Sequence, residues 1–355
     1  MLDSKGPAVI TKAALQKSGL KFPPVIFGTS GLGNLYLRLE ESVKHKIVYE
    51  SIYHSPGLTF FDTAGKYGAG LALECLGRSF KELQLEPQEV VISNKLGWFR
   101  TKLHTEHPTF EVDIWKGLEY DAVQKISYEG ILECFEQGND LLQAYVPQLV
   151  SVHDPDEYLA KAKSESEAKR LYQDILDAYR ALEELKAQGK VSAIGVGAKD
   201  WRMIEKISQD VDLDWVMIAN SMTVLKHPKN LILFMQSLAE KKIQIINAAV
   251  FQSGFLIGGD YCDYKFLKPD TAANQALFRW RDDFFTLCKK FDVKPAVACA
   301  QFSLQVPGVV SIALSSTDPE IVRENASIDS VVIPLEFWTA MKDKGLISKD
   351  CAWVG

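Results

Sequence analysis

Along this chain, short apolar runs rich in β-branched residues alternate with longer amphipathic stretches, and that alternation restricts the fold more than any other feature. The apolar runs are Val25–Thr29, Thr59–Asp62, Val90–Asn94, Leu149–His153, Ser192–Val196, Trp215–Ala219, Ile243–Ala248 and Val309–Ala313. Helices are expected over 41–54, 71–83, 128–142, 167–188, 201–208, 230–240, 295–305 and 318–327, each with apolar residues at three- and four-residue spacing. Repeated βα units build a parallel sheet. Eight of them suit a closed (β/α)8 TIM barrel, with 1–355 as a single domain. An open doubly wound sheet would instead carry a GxGxxG phosphate turn after a strand. Gly28-Thr-Ser-Gly-Leu-Gly33 has the wrong spacing and reads as a flexible turn after the first strand.

Two segments exceed the repeat: 97–126, rich in Trp, Phe, Tyr and His, and 256–292, which contains Trp280. Long excursions from a barrel are usually functional loops or accessory helices over the site. The six cysteines are scattered without a CxxC pair or a Cys/His spacing that suits zinc. They read as reduced, buried thiols, and no metal site is expected. With no apolar leader at the N-terminus and no stretch long enough to span a bilayer, a cytoplasmic protein is expected. A net charge of −6, with no basic run, disfavours nucleic acid and membrane partners. That leaves a small molecule as the expected partner, and a monomer or small homo-oligomer as the expected assembly.

In a barrel of parallel strands, chemistry sits at the C-terminal strand ends. Phe60-Phe61-Asp62-Thr63 closes the second strand on a carboxylate, and Tyr67 follows in Ala-Gly-Lys-Tyr-Gly. The third strand closes on Lys95 and the fourth on His153. Singly, each has an ordinary explanation: a capping Asp, a snorkelling Lys, a His in a turn. Three consecutive strand ends aiming Asp, Lys and His at one rim are harder to assign to chance. Moving a hydride to or from an oxygen-bearing carbon requires a proton donor or acceptor on that oxygen. A phenol serves only if tuned, and Lys95, held by Asp62, is expected to lower the pKa of Tyr67. His153 would orient the substrate oxygen, in its neutral form in a partly dry pocket. Trp98, Phe99 and Trp115 are candidates to stack on a substrate face.

FFDTAGKYGAGLALECLGRSF, VISNKLG, VSVHDP, ALEELKAQGKVSAIGVG and SSTDPEIVREN, in that order over nearly the whole chain, resemble the aldo-keto reductase family. The resemblance implies a catalytic tetrad of Asp62, Tyr67, Lys95 and His153 and a nicotinamide cofactor bound without a Rossmann motif. It places the cofactor against Thr29, Asp62, Asn220, Phe251, Ser253, Gly254, Ser315, Ser316, Thr317, Glu324 and Asn325. Ile245-Ile-Asn-Ala-Ala-Val-Phe-Gln-Ser-Gly-Phe-Leu256 is similar to the sugar 1-dehydrogenase branch of that family. Measured against the family pattern, Ala248 replaces a stacking tyrosine, Gly197-Ala198 replaces Ser-Asn and Met217 replaces a glutamine. Lys199, Asp200 or Asn220 would then hold the nicotinamide carboxamide. The positions that meet a 2′-phosphate correspond to Ser315, Ser316 and Ile321, none cationic, beside acidic Asp318 and Glu320, with Arg323 the one nearby cation. NAD is therefore expected, with NADP possible.

The activity so implied is oxidation of the anomeric C1 hydroxyl of an aldopyranose, of L-fucose, L-galactose or D-arabinose type, to a lactone. Two alternatives stand beside it: reduction of an aldehyde, ketone or pyridoxal by NAD(P)H, and a non-catalytic redox sensor that binds the cofactor and signals to a protein partner.

Overall fold

A computed structural model describes residues 21–263 and 265–355, so the reading of the extreme N-terminus lies outside the described residues. The barrel strands are β1 (Val25–Gly28), β2 (Thr59–Ala64), β3 (Val90–Leu96), β6 (Leu149–His153), β7 (Ala193–Ala198), β8 (Trp215–Ala219), β9 (Gln244–Ala248) and β12 (Val309–Leu314). They close in the order β1-β12-β9-β8-β7-β6-β3-β2, every pair parallel. All eight expected strands are present, and β6 and β8 have the expected bounds.

Helices α1 (Glu41–His54), α2 (Leu71–Glu82), α3 (Tyr128–Leu142), α5 (Glu165–Ala187), α6 (Trp201–Asp210), α7 (Lys229–Glu240), α9 (Pro295–Leu304) and α10 (Pro319–Asn325) fall at the expected places. Each strand is buried on both faces, as a parallel sheet wrapped by helices requires. Along β2, Phe60 enters the barrel core with Ile26, Val91, Leu149, Trp215 and Ile246, while Phe61 packs outward on the α2 side with Leu76 and Phe80. The same alternation sends Val91 and Leu149 inward and Ile92, Val150 and Val152 outward. Each large apolar side chain so buried contributes roughly 1.5–3 kcal/mol.

The two excursions have structure of their own. Residues 97–126 form an antiparallel hairpin, β4 (Trp98–Lys102) and β5 (Tyr120–Gln124), with a long loop between its strands. In the second excursion, a two-stranded turn, β10 (Tyr261–Cys262) with β11 (Lys265–Phe266), precedes α8 (Ala272–Lys290). Helix α8 buries Phe284, Leu287 and Cys288 in an outer cluster with α9 and α11 (Leu335–Asp343). The loop that joins β9 to this excursion is braced by the helix behind it: Arg281 donates to the carbonyls of Phe255 and Gly259 at 3.4 and 2.9 Å. A short helix, α4 (Pro155–Leu159), follows β6 directly. No helix among the described residues is long and apolar enough to cross a membrane.

Candidate active site

The period of two that sends Phe60, Val91 and Leu149 into the barrel also sends Asp62, Lys95 and His153 inward at the C-terminal rim. Register completes the convergence, because Asp62 pairs with Ser93 and Lys95 with Ser151 on neighbouring strands. Tyr67 is set by a backbone contact: a Cβ on Gly33 would lie 2.7 Å from the Tyr67 carbonyl carbon, and Gly68 beside it has φ +62. The segment Gly28–Gly33, expected as a flexible turn, is thus a tight 3-10 turn (Ser30–Gly33), and it seats the phenol.

Lys95 forms a buried ion pair with Asp62 and donates to the Thr63 carbonyl at 3.4 Å. Ser93 donates to the other Asp62 oxygen at 3.3 Å. The Lys95 ammonium stands 4.8 Å from the centroid of the Tyr67 ring, and the His153 ring meets that ring edge-on at 5.6 Å. A Cβ on Gly197 would lie 3.0 Å from Lys95 Cδ, so the lysine stem crosses the rim through the space that this glycine leaves. Burial, with Lys95 and Lys66 nearby, holds the His153 pKa well below its usual value, which keeps the ring neutral. Its Nδ1 is buried without a protein partner, and its Nε2 lies 3.5 Å from Asp154 Oδ2.

The expected lowering of the Tyr67 pKa is not found. Burial, then the Asp62 and Asp154 carboxylates, push the phenol well above its usual value. The physical reason is that Asp62 neutralises the Lys95 charge, so the pair acts on the ring almost as a dipole. The Asp62 carboxyl is itself raised, by burial that outweighs Lys95 and Ser93.

These four residues stand at one end of a cavity of about 400 Å3. The cavity runs past Phe251, Ser253 and Gly254 to Ser315, Ser316 and Thr317, so these expected contacts share one space with the tetrad. The loop after β9 is held in an unusual path, with Ala249, Gln252 and Ser253 at φ between 51 and 58. Buried Gln252 anchors it by donating to the Asn220 carbonyl at 2.6 Å. Gly197, Ala198, Met217 and Ala248 line the cavity and offer no polar side chain, as the departures at those positions imply.

Other expected contacts fall outside the lining residues. Thr29 pins β1 to β2 by donating from Oγ1 to the Asp62 carbonyl at 3.0 Å. Glu324 pairs with Lys294 at 2.8 Å on the surface, and Asn325 is buried at the end of α10. Asp200 caps α6, whereas Lys199 lines the cavity. Asn220 lies outside the cavity lining, with its side-chain Oδ1 buried and unpartnered. A row of hydroxyls at Ser253, Ser315, Ser316 and Thr317 along the cavity fits a nicotinamide dinucleotide.

Of the aromatic residues in the first excursion, only Trp115 lines the cavity, 5.8 Å from the Tyr67 ring. Trp98 packs on Phe110 at 5.6 Å, and Phe99 lies under Lys125 at 4.2 Å. Lys66 and Glu111 also line the cavity, although their sequence context gave no sign of it; Lys66 sits in a turn, where lysines are usually solvated.

Residues 24–345 match the sequence profile described as the Aldo/keto reductase family. Pyridoxal 4-dehydrogenase from Microbacterium luteolum is 29% identical over 345 residues, covering 95% of this chain and 98% of that protein. D-threo-aldose 1-dehydrogenase from a Pseudomonas species is 27% identical over 352 residues, again 95% of this chain and 98% of the relative. Among solved structures, glycerol dehydrogenase from Gluconobacter oxydans superposes with a TM-score of 0.65 at 17% identity, covering 90% of each chain, a likeness of fold.

Proposed function

This chain belongs to the aldo/keto reductase family of NAD(P)-dependent oxidoreductases, and we propose that it oxidises the anomeric hydroxyl of an aldopyranose to a lactone in the cytoplasm, with NAD as cofactor. The observation that carries the chemistry is the partly buried phenol of Tyr67, flanked by the Lys95–Asp62 pair and by neutral His153. The sugar assignment draws on the similarity to D-threo-aldose 1-dehydrogenase and on the Trp115 ring beside the phenol.

The bound nicotinamide supplies the hydride acceptor. Tyr67, as phenolate, takes the proton of the C1 hydroxyl, and His153 orients that oxygen. Lys95 holds its charge against Asp62 next to the ring, so proton loss from the phenol creates charge beside a fixed cation. Run in reverse, the phenol, which its raised pKa keeps protonated, donates to a carbonyl.

Support for NAD comes from how nearby cations are engaged. Arg323 makes a two-pronged contact with Glu50, at 2.9 and 2.8 Å, and Lys294 is paired with Glu324. Neither is available to a 2′-phosphate without breaking an ion pair. The cytoplasmic reading is supported by six free, buried cysteines.

A second reading, oxidation of pyridoxal, is favoured by the similarity to pyridoxal 4-dehydrogenase. A panel of aldoses and pyridoxal, each offered with NAD+ and with NADP+, tests the assignment by absorbance of the reduced cofactor. Turnover of an aldose above pyridoxal supports the sugar reading, and the reverse order rejects it.

A further inference from the structure

Lys66 has no part in the hydride chemistry described above, yet its side chain is only 4% exposed. Its ammonium contacts three carboxylates from two separate parts of the chain. They are Glu111 at 2.8 Å in the hairpin loop, Asp154 at 2.9 Å directly after His153, and Glu157 at 2.9 Å on α4. Lys199, at the end of β7, pairs with the other oxygen of Glu157. Burial disfavours the Lys66 ammonium, but Asp154, Glu111 and Glu157 together hold its pKa well above the usual lysine value. Buried ion networks are weak contributors to stability, since desolvation offsets most of the attraction. A fold that needed only packing here would do as well with apolar side chains.

What the network does provide is a polar wall on the reacting centre. Lys66, Glu111, Asp154 and Lys199 line the cavity together with Tyr67 and His153. The His153 ring adjoins the same stretch of wall, with Nε2 3.5 Å from Asp154 Oδ2. Glu111 reaches in two directions, since its second oxygen accepts from Trp115 Nε1 at 2.7 Å and fixes the indole beside the phenol. An apolar ring face and a row alternating donors with acceptors therefore lie side by side, matching a sugar ring with its C–H face and hydroxyl rim. With Glu157 behind the wall, three carboxylates against two ammoniums leave the network as a whole net negative, which disfavours acids and phosphate esters.

We propose that Lys66, Glu111, Asp154 and Lys199 form a hydroxyl-recognition subsite that selects neutral polyhydroxylated substrates for the reaction at Tyr67. The proposal rests on the sugar reading given above, and a probe without ring hydroxyls separates the two. 2-Hydroxytetrahydropyran has the pyranose skeleton and the anomeric hydroxyl but none of the other hydroxyls.

The test measures kcat and KM for the best aldose and for this probe in the unaltered enzyme, Glu111→Gln and Lys66→Met. Losing a hydrogen bond to a charged group costs about tenfold or more in affinity. The aldose KM should therefore rise at least ~10-fold relative to the probe KM, with kcat falling less. Equal changes for both substrates would overturn the subsite and leave the dehydrogenase reading standing. An unaltered enzyme that oxidises the probe as efficiently as every aldose would also overturn it. Oxidation of neither compound would overturn both. Glu111→Gln keeps the shape of a partly exposed side chain, so it preserves the test if Lys66→Met fails to fold. Calorimetric binding of the aldose to cofactor-loaded Tyr67→Phe protein gives a readout without turnover. There too, adding Glu111→Gln should weaken binding at least ~10-fold, and unchanged affinity would overturn the proposal.

Discussion

The ammonium of Lys95 stands 4.8 Å from the centre of the Tyr67 ring while its charge is held by Asp62. This relationship places the cation next to the phenol without leaving it free to ionise the phenol at rest. Removing the hydroxyl should therefore abolish proton transfer and spare the pocket. Tyr67→Phe is expected to lower kcat at least ~100-fold, with cofactor affinity changed less than about threefold. Steady-state kinetics together with cofactor fluorescence titration checks this, and near-normal turnover would remove Tyr67 from the mechanism.

The pH dependence follows from the direction of the shift. Because the Tyr67 pKa is raised, the phenolate needed for oxidation is a minor species near neutrality and grows with pH. Log kcat/KM for oxidation should climb with a slope of about one from about pH 6 to about pH 9, without a plateau. Reduction, which needs the protonated phenol, should stay flat over the same range. A plateau in oxidation near neutrality, with chemistry rate-limiting, would show that the phenol is lowered after all. His153, held neutral by burial, should add no step above its depressed pKa.

Gly197 tests how closely the lysine is positioned. A methyl at this position would meet Lys95 Cδ at 3.0 Å, and the stem is fixed at its far end by Asp62. Gly197→Ala should displace the ammonium by a few tenths of an ångström and lower kcat roughly 10-fold, leaving the melting temperature nearly unchanged. Unchanged kcat would mean that the stem relaxes freely.

The barrel was legible because its strands are short, apolar and regularly spaced, and β6 and β8 have the bounds that the pattern gave. Asp62, Lys95 and His153 were legible for the same reason, as the polar residues that end such runs. The β4–β5 hairpin was not, because Trp98-Phe-Arg-Thr-Lys102 does not alternate apolar and polar residues. Helix α11 went unread although Phe337, Trp338 and Met341 carry helical spacing, because no barrel repeat called for it. Lys66 was invisible for a deeper reason: only Glu111, Asp154 and Glu157, brought from distant positions, make a buried lysine tolerable. The Tyr67 shift likewise depends on burial, which three-dimensional packing alone decides.

Cofactor choice should follow the charges near Ser315 and Ser316. With Arg323 held by Glu50 and Lys294 by Glu324, a 2′-phosphate would have to break an ion pair to engage either cation, and the adjoining sequence carries acidic Asp318 and Glu320. NADP+ should be used with kcat/KM at least ~10-fold below that for NAD+ at saturating sugar. Equal or higher efficiency with NADP+ would show that Arg323 leaves Glu50 for the phosphate.

In the proposed reaction a hydride leaves the anomeric carbon while Tyr67 takes the hydroxyl proton. An aldose deuterated only at that carbon, incubated with the enzyme and NAD+, tests it most directly through mass spectrometry of the reduced cofactor. The expected products are reduced cofactor carrying the deuterium and a lactone that has lost it. Reduced cofactor free of label, or cofactor that stays oxidised with every aldose offered, would contradict it.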